Sequence, residues 1–290
     1  MKRASPRQQK IAAAYDGEVW PLGPMRAAEP LLRALPRRPA TAAFEFGCAT
    51  GQLSRQVAER LDRDSHLIAV DPSPAMIEIA QAGLAARSTP TTQAPQAMNE
   101  GAPGARLTFA VAELVPSPVE ETSQDLVLSN LALGELAHPA RAIADLARAL
   151  KPGGRALVTL PMRGSWAEFL DLYRDVLREQ GKREALSALA AYESRLPDPR
   201  TAVRWFEAAG LTGVSLETSR WELLFKSARE FFFAPIVELY PLPIWKQIAG
   251  GHGDDMQDVF FFVKEAIETY FSGSVFSVTM MVGLLQGERA

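Results

Sequence analysis

Thr41-Ala42-Ala43-Phe44-Glu45-Phe46-Gly47-Cys48-Ala49-Thr50-Gly51-Gln52 is the stretch that decides the fold. An apolar run carrying one acid, Glu45, breaks into a turn of small residues from Gly47 to Gly51. Helical spacing follows at Leu53, Val57, Ala58 and Leu61. That order predicts a strand, a tight turn and a helix. A second apolar run, Leu67 to Val70, then ends in Asp71. Strand, glycine turn, helix, strand and terminal acid make half of a nucleotide-binding α/β unit. Its glycines let the backbone approach a ligand, and its acid accepts hydrogen bonds from ribose hydroxyls.

The hydride-transfer fingerprint requires Gly-x-Gly-x-x-Gly, and that register here reads Gly47, Ala49, Gln52. The final glycine is missing, which disfavours a nicotinamide or flavin dinucleotide. Glu45-x-Gly47-x-Ala49-x-Gly51 instead resembles motif I of the class I S-adenosylmethionine-dependent methyltransferases. Val70-Asp71-Pro72-Ser73-Pro74-Ala75-Met76 resembles that family's second motif. Residues 125–133 resemble its fourth strand, ending at Asn130, and residues 149–160 its Leu-Lys-Pro-Gly-Gly turn entering strand five.

The resemblance implies S-adenosylmethionine as cofactor and S-adenosylhomocysteine as product. It places the amino-acid end of the cofactor over Glu45, Gly47, Ala49 and Gly51, and the ribose on Asp71, with Met76 and Asn130 beside them. Tyr15 sits where a capping tyrosine of the N-terminal segment would. Two departures stand out. Ala49 replaces the usual central glycine. After strand three (residues 107–111) the adenine-binding Asp is absent from Ala110-Val111-Ala112-Glu113, which leaves Glu113 as the substitute.

Thr159-Leu160, Gly164-Ser165, Glu168-Phe169-Leu170 and Ser129–Leu133 are similar to the malonyl-acyl-carrier-protein O-methyltransferases of biotin synthesis. That implies a small-molecule or carrier-bound acceptor. The expected architecture is α/β, a Rossmann-like seven-stranded mostly parallel sheet with helices on both faces and helical lid insertions. Residues 1–38 are expected to form an N-terminal helical cap and residues 39–164 the cofactor-binding core. Residues 165–290 would complete the sheet and carry the insertions, 165–197 and 225–271, above the carboxyl ends of the strands. Residues 85–106, rich in Ala, Thr, Pro, Gln and Gly, read as a surface insertion.

Composition narrows the classes. The chain has 290 residues, 47% of them hydrophobic, and a net charge of −3. That suits one large α/β domain with additions, or at most two domains. It lacks the basic face that nucleic acids demand, so no nucleic-acid partner is expected. The single cysteine, Cys48, excludes an internal disulfide and a cysteine-based metal site. It reads as a small turn residue. His66, His138 and His252 are scattered, and no metal is expected. No apolar region follows the basic start, and no stretch approaches the roughly 20 apolar residues of a membrane span. A soluble, cytoplasmic protein of unspecified oligomeric state is the expectation.

Catalytic residues are not evident. Glu135 and His138, just past strand four, are the titratable candidates for a general base, set against solvent-exposed positions on a loop or helix start. Arg163 is a candidate contact for an acidic acceptor, or a surface ion pair. Trp166, Phe232 and Phe261 are candidates for an apolar acceptor pocket. The aromatic triplets 231–233 and 260–262 cannot all face one side of a helix, so core packing accounts for only part of them. A silent methyltransferase-like regulator or assembly partner is the competing reading.

Overall fold

The computed structural model describes residues 4–36, 40–88, 104–113, 115–251 and 253–290. Its strands are β1 (Ala42–Phe46), β2 (His66–Asp71), β3 (Arg106–Val111), β4 (Gln124–Asn130), β5 (Leu150–Pro161), β6 (Leu211–Phe225) and β7 (Phe276–Arg289). They form one seven-stranded sheet in the order β3-β2-β1-β4-β5-β7-β6. The pairs β1–β2, β2–β3, β1–β4 and β4–β5 are all parallel. The helices of the first half are α1 (Pro6–Ala14), α2 (Pro24–Arg33), α3 (Gln52–Ala58), α4 (Pro74–Ser88) and α5 (Pro139–Ala149). Those of the second half are α6 (Ala167–Glu179), α7 (Arg183–Ser194), α8 (Pro199–Ala208), α9 (Ala228–Phe233), α10 (Pro235–Glu238), α11 (Pro241–Ile248) and α12 (Asp254–Tyr270). This is the Rossmann-like α/β fold that the sequence predicts.

Strand sequences explain the parallel centre. Leu126 to Ser129 of β4 and Ala156 to Leu160 of β5 are buried without a break, and Phe44 to Phe46 of β1 likewise. A strand covered on both faces needs such continuous runs, because each successive side chain points to the opposite face. The Lys-Pro-Gly-Gly motif behaves as a bulge in the ladder. Gln124 pairs with Leu150 and Leu126 with Arg155, so the residues between Leu150 and Arg155 loop out of register. Gly153 takes a φ of 75° there.

The strand order reverses between β1 and β4, on either side of which the chain winds in opposite directions. Open parallel sheets form a ligand crevice at that reversal, beyond the carboxyl ends of the strands. Glu45 is the penultimate residue of β1, Gly47 follows its end, and Asn130 ends β4. The candidate motif residues therefore meet at the topological switch.

The chain divides into two compact units. The first comprises residues 1–160, 201–217 and 284–290, and the second residues 161–200 and 218–283. The predicted insertions 165–197 and 225–271 fall in the second. Its interior is an aromatic cluster. Phe169 stacks on Trp245 with ring centroids 4.0 Å apart, Phe231 lies 5.1 Å from Phe169, and Tyr173 Oη donates to the Trp245 carbonyl at 2.7 Å. Glu168 anchors this unit's part of β7 by accepting from Thr279 N at 2.7 Å and Thr279 Oγ1 at 2.6 Å. The predicted surface insertion at 85–106 lies largely outside the described residues.

Gly51 is held on two counts. Its φ is 72°, and a Cβ there would stand 2.5 Å from Phe109 Cζ and 3.0 Å from Ala80 Cβ. Gly51→Ala should destabilise the protein by about 2–4 kcal/mol, combining left-handed backbone strain with overpacking. Adding Phe109→Leu should recover only the packing part. Equal denaturation midpoints for the wild type and Gly51→Ala would contradict this account of the turn.

Candidate functional site

The site is built within the first unit, starting from the turn after β1. Gly47 N and Cys48 N both donate to the Val70 carbonyl at 2.9 Å, which fastens the turn to the end of β2. Ala49 N then donates to Asp71 Oδ2 and Ser73 N to Asp71 Oδ1, each at 2.9 Å. The carboxylate is thus oriented by main-chain donors, and each oxygen keeps lone-pair capacity for a ligand hydroxyl. Burial raises the Asp71 pKa, and these two bonds offset part of the rise. Ala49 adopts a φ of 45°, so the residue that replaces a glycine still takes the glycine-like backbone. Its Cβ makes that conformation cost on the order of 1 kcal/mol.

Glu45 is the unusual group. It is 1% exposed, and its Oε2 has no hydrogen-bond partner. Burial first, and then the Asp71 charge, push its pKa up to about 7. Ser54 and Arg55 counter this only in part, and Ser54 Oγ itself completes no hydrogen bond. Cys48, in the turn above, is buried and its thiol is pushed up by burial and then by Glu45 and Asp71, which keeps it protonated and unreactive.

The N-terminal segment closes against this turn. A capping box at Ser5 and Gln8 starts α1, and Ala4 and Ala12 pack on Ala75, Met76 and Ile79 of α4. The helix then widens into a π-turn over Tyr15–Val19, closed by Trp20 N on the Tyr15 carbonyl at 2.8 Å. Such turns reposition side chains at functional sites. Here the π-turn sets the Tyr15 phenol in a buried position whose pKa rises through burial and then through Glu135, Asp71, Glu45 and Cys48 in turn. Two clasps hold the segment. Gln52 Nε2 donates to Asp16 Oδ1 at 2.8 Å, and Asn130 Nδ2 donates to the Pro24 carbonyl at 2.9 Å. Thr159 Oγ1 donates to Asn130 Oδ1 at 2.7 Å and so sets which way that amide faces.

Comparison with known proteins gives this crevice its family. Residues 44–158 match the family model of a methyltransferase domain. That match covers the crevice and supports a class I S-adenosylmethionine-dependent methyltransferase domain there. Over 114 residues it is 33% identical to a malonyl-[acyl-carrier protein] O-methyltransferase of Hahella chejuensis, covering 39% of this chain and 34% of that one. It is 24% identical over 222 residues to a demethylmenaquinone methyltransferase of Clavibacter sepedonicus, covering 72% and 78%. The match thus spans about a third of the first of these relatives and most of the second. A putative methyltransferase of Bacillus halodurans shares the fold with a TM-score of 0.56 at 13% identity, covering 91% of this chain and 99% of that structure.

At this crevice the structure brings together Tyr15 of the N-terminal segment with Glu45, Gly47, Ala49, Gly51, Asp71, Asn130 and Glu135. Glu135 sits on a short 3₁₀ turn after β4, and Leu131 at its start has a left-handed φ of 63°. Crowding and then the Asp71 charge push the Glu135 pKa upward. Its surface is exposed, so water screens that charge more than it does at enclosed Glu45. His138 is exposed at the N-cap of α5, and Glu113 is exposed beyond β3. Met76 packs under α1.

In the second unit, Arg163 is largely exposed and pairs with Asp198 at 3.8 Å. Trp166 is buried, edge-on to Trp245 at 5.6 Å. Phe232 is half-buried between Phe169 and Phe260, and Phe261 is 56% exposed. Gln52, Asp16, Pro24 and Thr159 were not among the residues that sequence reasoning selected for the site. Gln52 stands where the dinucleotide fingerprint has its final glycine. Among the described residues no acid, histidine and cysteine group could hold a metal ion. No described helix is long and apolar enough to cross a membrane.

Two outcomes follow from this geometry. Glu45 keeps its proton in the fold to a higher pH than in the unfolded chain. Stability without ligand should therefore be greatest below the unfolded value, fall as pH rises between about 4.5 and 7, and level off above. Glu45→Gln should add on the order of 3 kcal/mol at about pH 8 and nothing at about pH 4, as read by chemical denaturation. Each clasp contributes about 1 kcal/mol, so Gln52→Ala or Asn130→Ala should speed amide exchange across residues 15–24 about fivefold. Unchanged exchange there would show that these bonds do not fasten the segment.

Proposed function

We propose that this protein transfers a methyl group from S-adenosylmethionine to a small-molecule or carrier-bound acceptor. The observation that carries this reading is the orphaned Glu45 oxygen beneath a turn of bare backbone, with the Asp71 carboxylate preset beside it. The group fits these residues. Gly47 and Ala49 leave main chain partly open to the amino-acid end, Gly51 packs the turn on Phe109, Asp71 retains acceptor capacity for the ribose hydroxyls, and the acids suit a cationic ligand. Glu113, at the end of β3, is the residue left for the adenine amine.

When bound, the cofactor supplies a methyl group already activated by the positive sulfur. The chain's part is then binding, alignment and exclusion of water. Holding an acceptor in line supplies effective molarities of roughly 10⁵–10⁸ M. Tyr15 and the clasped residues 15–24 cover the turn and keep water from it. An acceptor carboxylate needs no general base. A hydroxyl or amine does, and Glu135 is the acid whose raised pKa suits it to accept that proton near neutral pH. The relatives named for acyl-carrier-protein and quinone methylation make carrier-bound acids and hydroxylated rings the first acceptors to test. Phe232 and Phe261 are the aromatic candidates for apolar acceptor contacts, and Arg163 for an acidic group. Trp166 contributes as a wall of its own core.

The test uses purified protein, methyl-labelled cofactor and an acceptor pool that includes acylated carrier protein. Label should appear in a small-molecule or carrier fraction and vanish in Gly47→Arg. Asp71→Ala should weaken cofactor binding by about 10- to 100-fold, the scale of a lost partner for buried polar groups. Binding without turnover of any acceptor would identify a silent methyltransferase-like regulator instead. Failure to bind at about millimolar cofactor would remove the reading altogether.

A further inference from the structure

The second unit contains a cleft of about 340 Å³, and no candidate site residue named above lines it. It opens where the start of α9, the end of α12 and the start of β7 meet. Two tight turns shape it. On one side Ser227 caps α9 by accepting from Glu230 N at 3.1 Å, while Glu230 Oε2 accepts from Lys226 N at 2.5 Å. On the other, Gly273 takes a φ of 75° after α12, and Ser274 N and Oγ both donate to the Phe271 carbonyl, at 2.9 and 3.2 Å. Between these turns lies an apolar floor. Ile267 and Phe276 are buried there, and the Phe271 ring stands 4.9 Å from that of Phe276. The volume falls within the lower range of small-molecule pockets.

The polar groups of the rim are one-sided once those already engaged are set apart. Glu268, the acid that lines the cleft, pairs with Lys264 at 3.6 Å. Ser274 spends its hydroxyl proton on the Phe271 carbonyl. The Lys226 ammonium and the Ser272 hydroxyl line the same opening and have no protein partner among the described residues. Ser227 Oγ accepts from Glu230 N and still has its proton to give. Unspent donors above an apolar floor suit an apolar body with an acceptor-only head, which is what an ionised carboxylate is. One ammonium balances one negative charge, and Glu268 on the rim opposes a second.

We propose that this cleft binds an amphipathic monocarboxylate, a medium-chain acyl or aryl acid, with its carboxylate on Lys226, Ser227 and Ser272 and its apolar body on Ile267, Phe271 and Phe276. Lys226 is exposed, so its ion pair contributes little by itself. Burial of the apolar body supplies most of the affinity, and the three donors set which end faces outward. Occupancy of the cleft requires neither the adenosyl cofactor nor methyl transfer.

Titration of the full chain at neutral pH with octanoate, butyrate, uncharged octanamide and octyl phosphate tests this by calorimetry. Octanoate should bind about fivefold tighter than octanamide and at least about tenfold tighter than butyrate. Lys226→Gln should bring octanoate and octanamide within about twofold of each other. Ser272→Trp, at an exposed position, should fill the mouth and remove octanoate binding while the unfolding midpoint stays unchanged. Asp71→Ala, in the first unit, should leave octanoate affinity as in the wild type. Equal wild-type affinities for octanoate and octanamide overturn the carboxylate head, and tighter binding of octyl phosphate overturns the single charge. Octanoate affinity that survives both Lys226→Gln and Ser272→Trp, or that falls in Asp71→Ala, places the ligand elsewhere and overturns the assignment. Absence of octanoate binding at about millimolar concentration overturns the proposal outright, whatever the cofactor does.

Discussion

Everything at the crevice depends on how the turn after β1 is fastened to the end of β2. The Val70 carbonyl takes two main-chain donors from that turn, and the Asp71 side chain takes a third. These bonds require a backbone that passes through positive φ at Gly47, Ala49 and Gly51. Given that path, α3 leaves the turn at an angle that seats Gly51 directly against Phe109 of β3. The same path exposes main chain where a ligand would lie and presets the ribose acid. Structure and binding capacity are consequences of one set of bonds, which is why small residues dominate the turn.

Charge placement then works against stability. Glu45 is enclosed with an unsatisfied oxygen, and Tyr15 is enclosed among three acids. Without a ligand the Glu45 carboxyl costs free energy that the apolar sheet offsets through its continuous buried strands, while the raised pKa of Tyr15 keeps its phenol neutral. Strained or under-satisfied groups persist where surrounding structure over-determines them. Here the capping box, the alanine contacts of α1 and the clasps at Asp16 and Pro24 supply that constraint.

The second unit follows simpler rules. Helical geometry turns successive side chains by about 100°, so three consecutive phenylalanines must look in different directions. Phe231 is buried, Phe232 is half-buried and Phe233 is 70% exposed. In the other triplet Phe260 is half-buried, with Phe261 and Phe262 exposed. The core share of each triplet is settled by contacts within the unit, and the exposed rings are the part left over for binding.

The sequence by itself determined the element order, the turn after β1, the acid at the end of β2 and the Lys-Pro-Gly-Gly irregularity, read as a turn into strand five and found as a bulge inside β5. These are local: each rests on hydrophobic periodicity or on a backbone conformation that few residues adopt, and both are written in consecutive letters. The tertiary structure alone decided that Asn130 spends its amide on Pro24 and Thr159, that Gln52 reaches Asp16, and that a π-turn sets Tyr15 among Glu45, Asp71 and Glu135. Those pairings join residues far apart in the chain, and a polar side chain carries no mark of the distant group it will meet. The raised pKa of Glu45 belongs to the same class, because burial and the nearness of a second acid exist only once the strands have assembled.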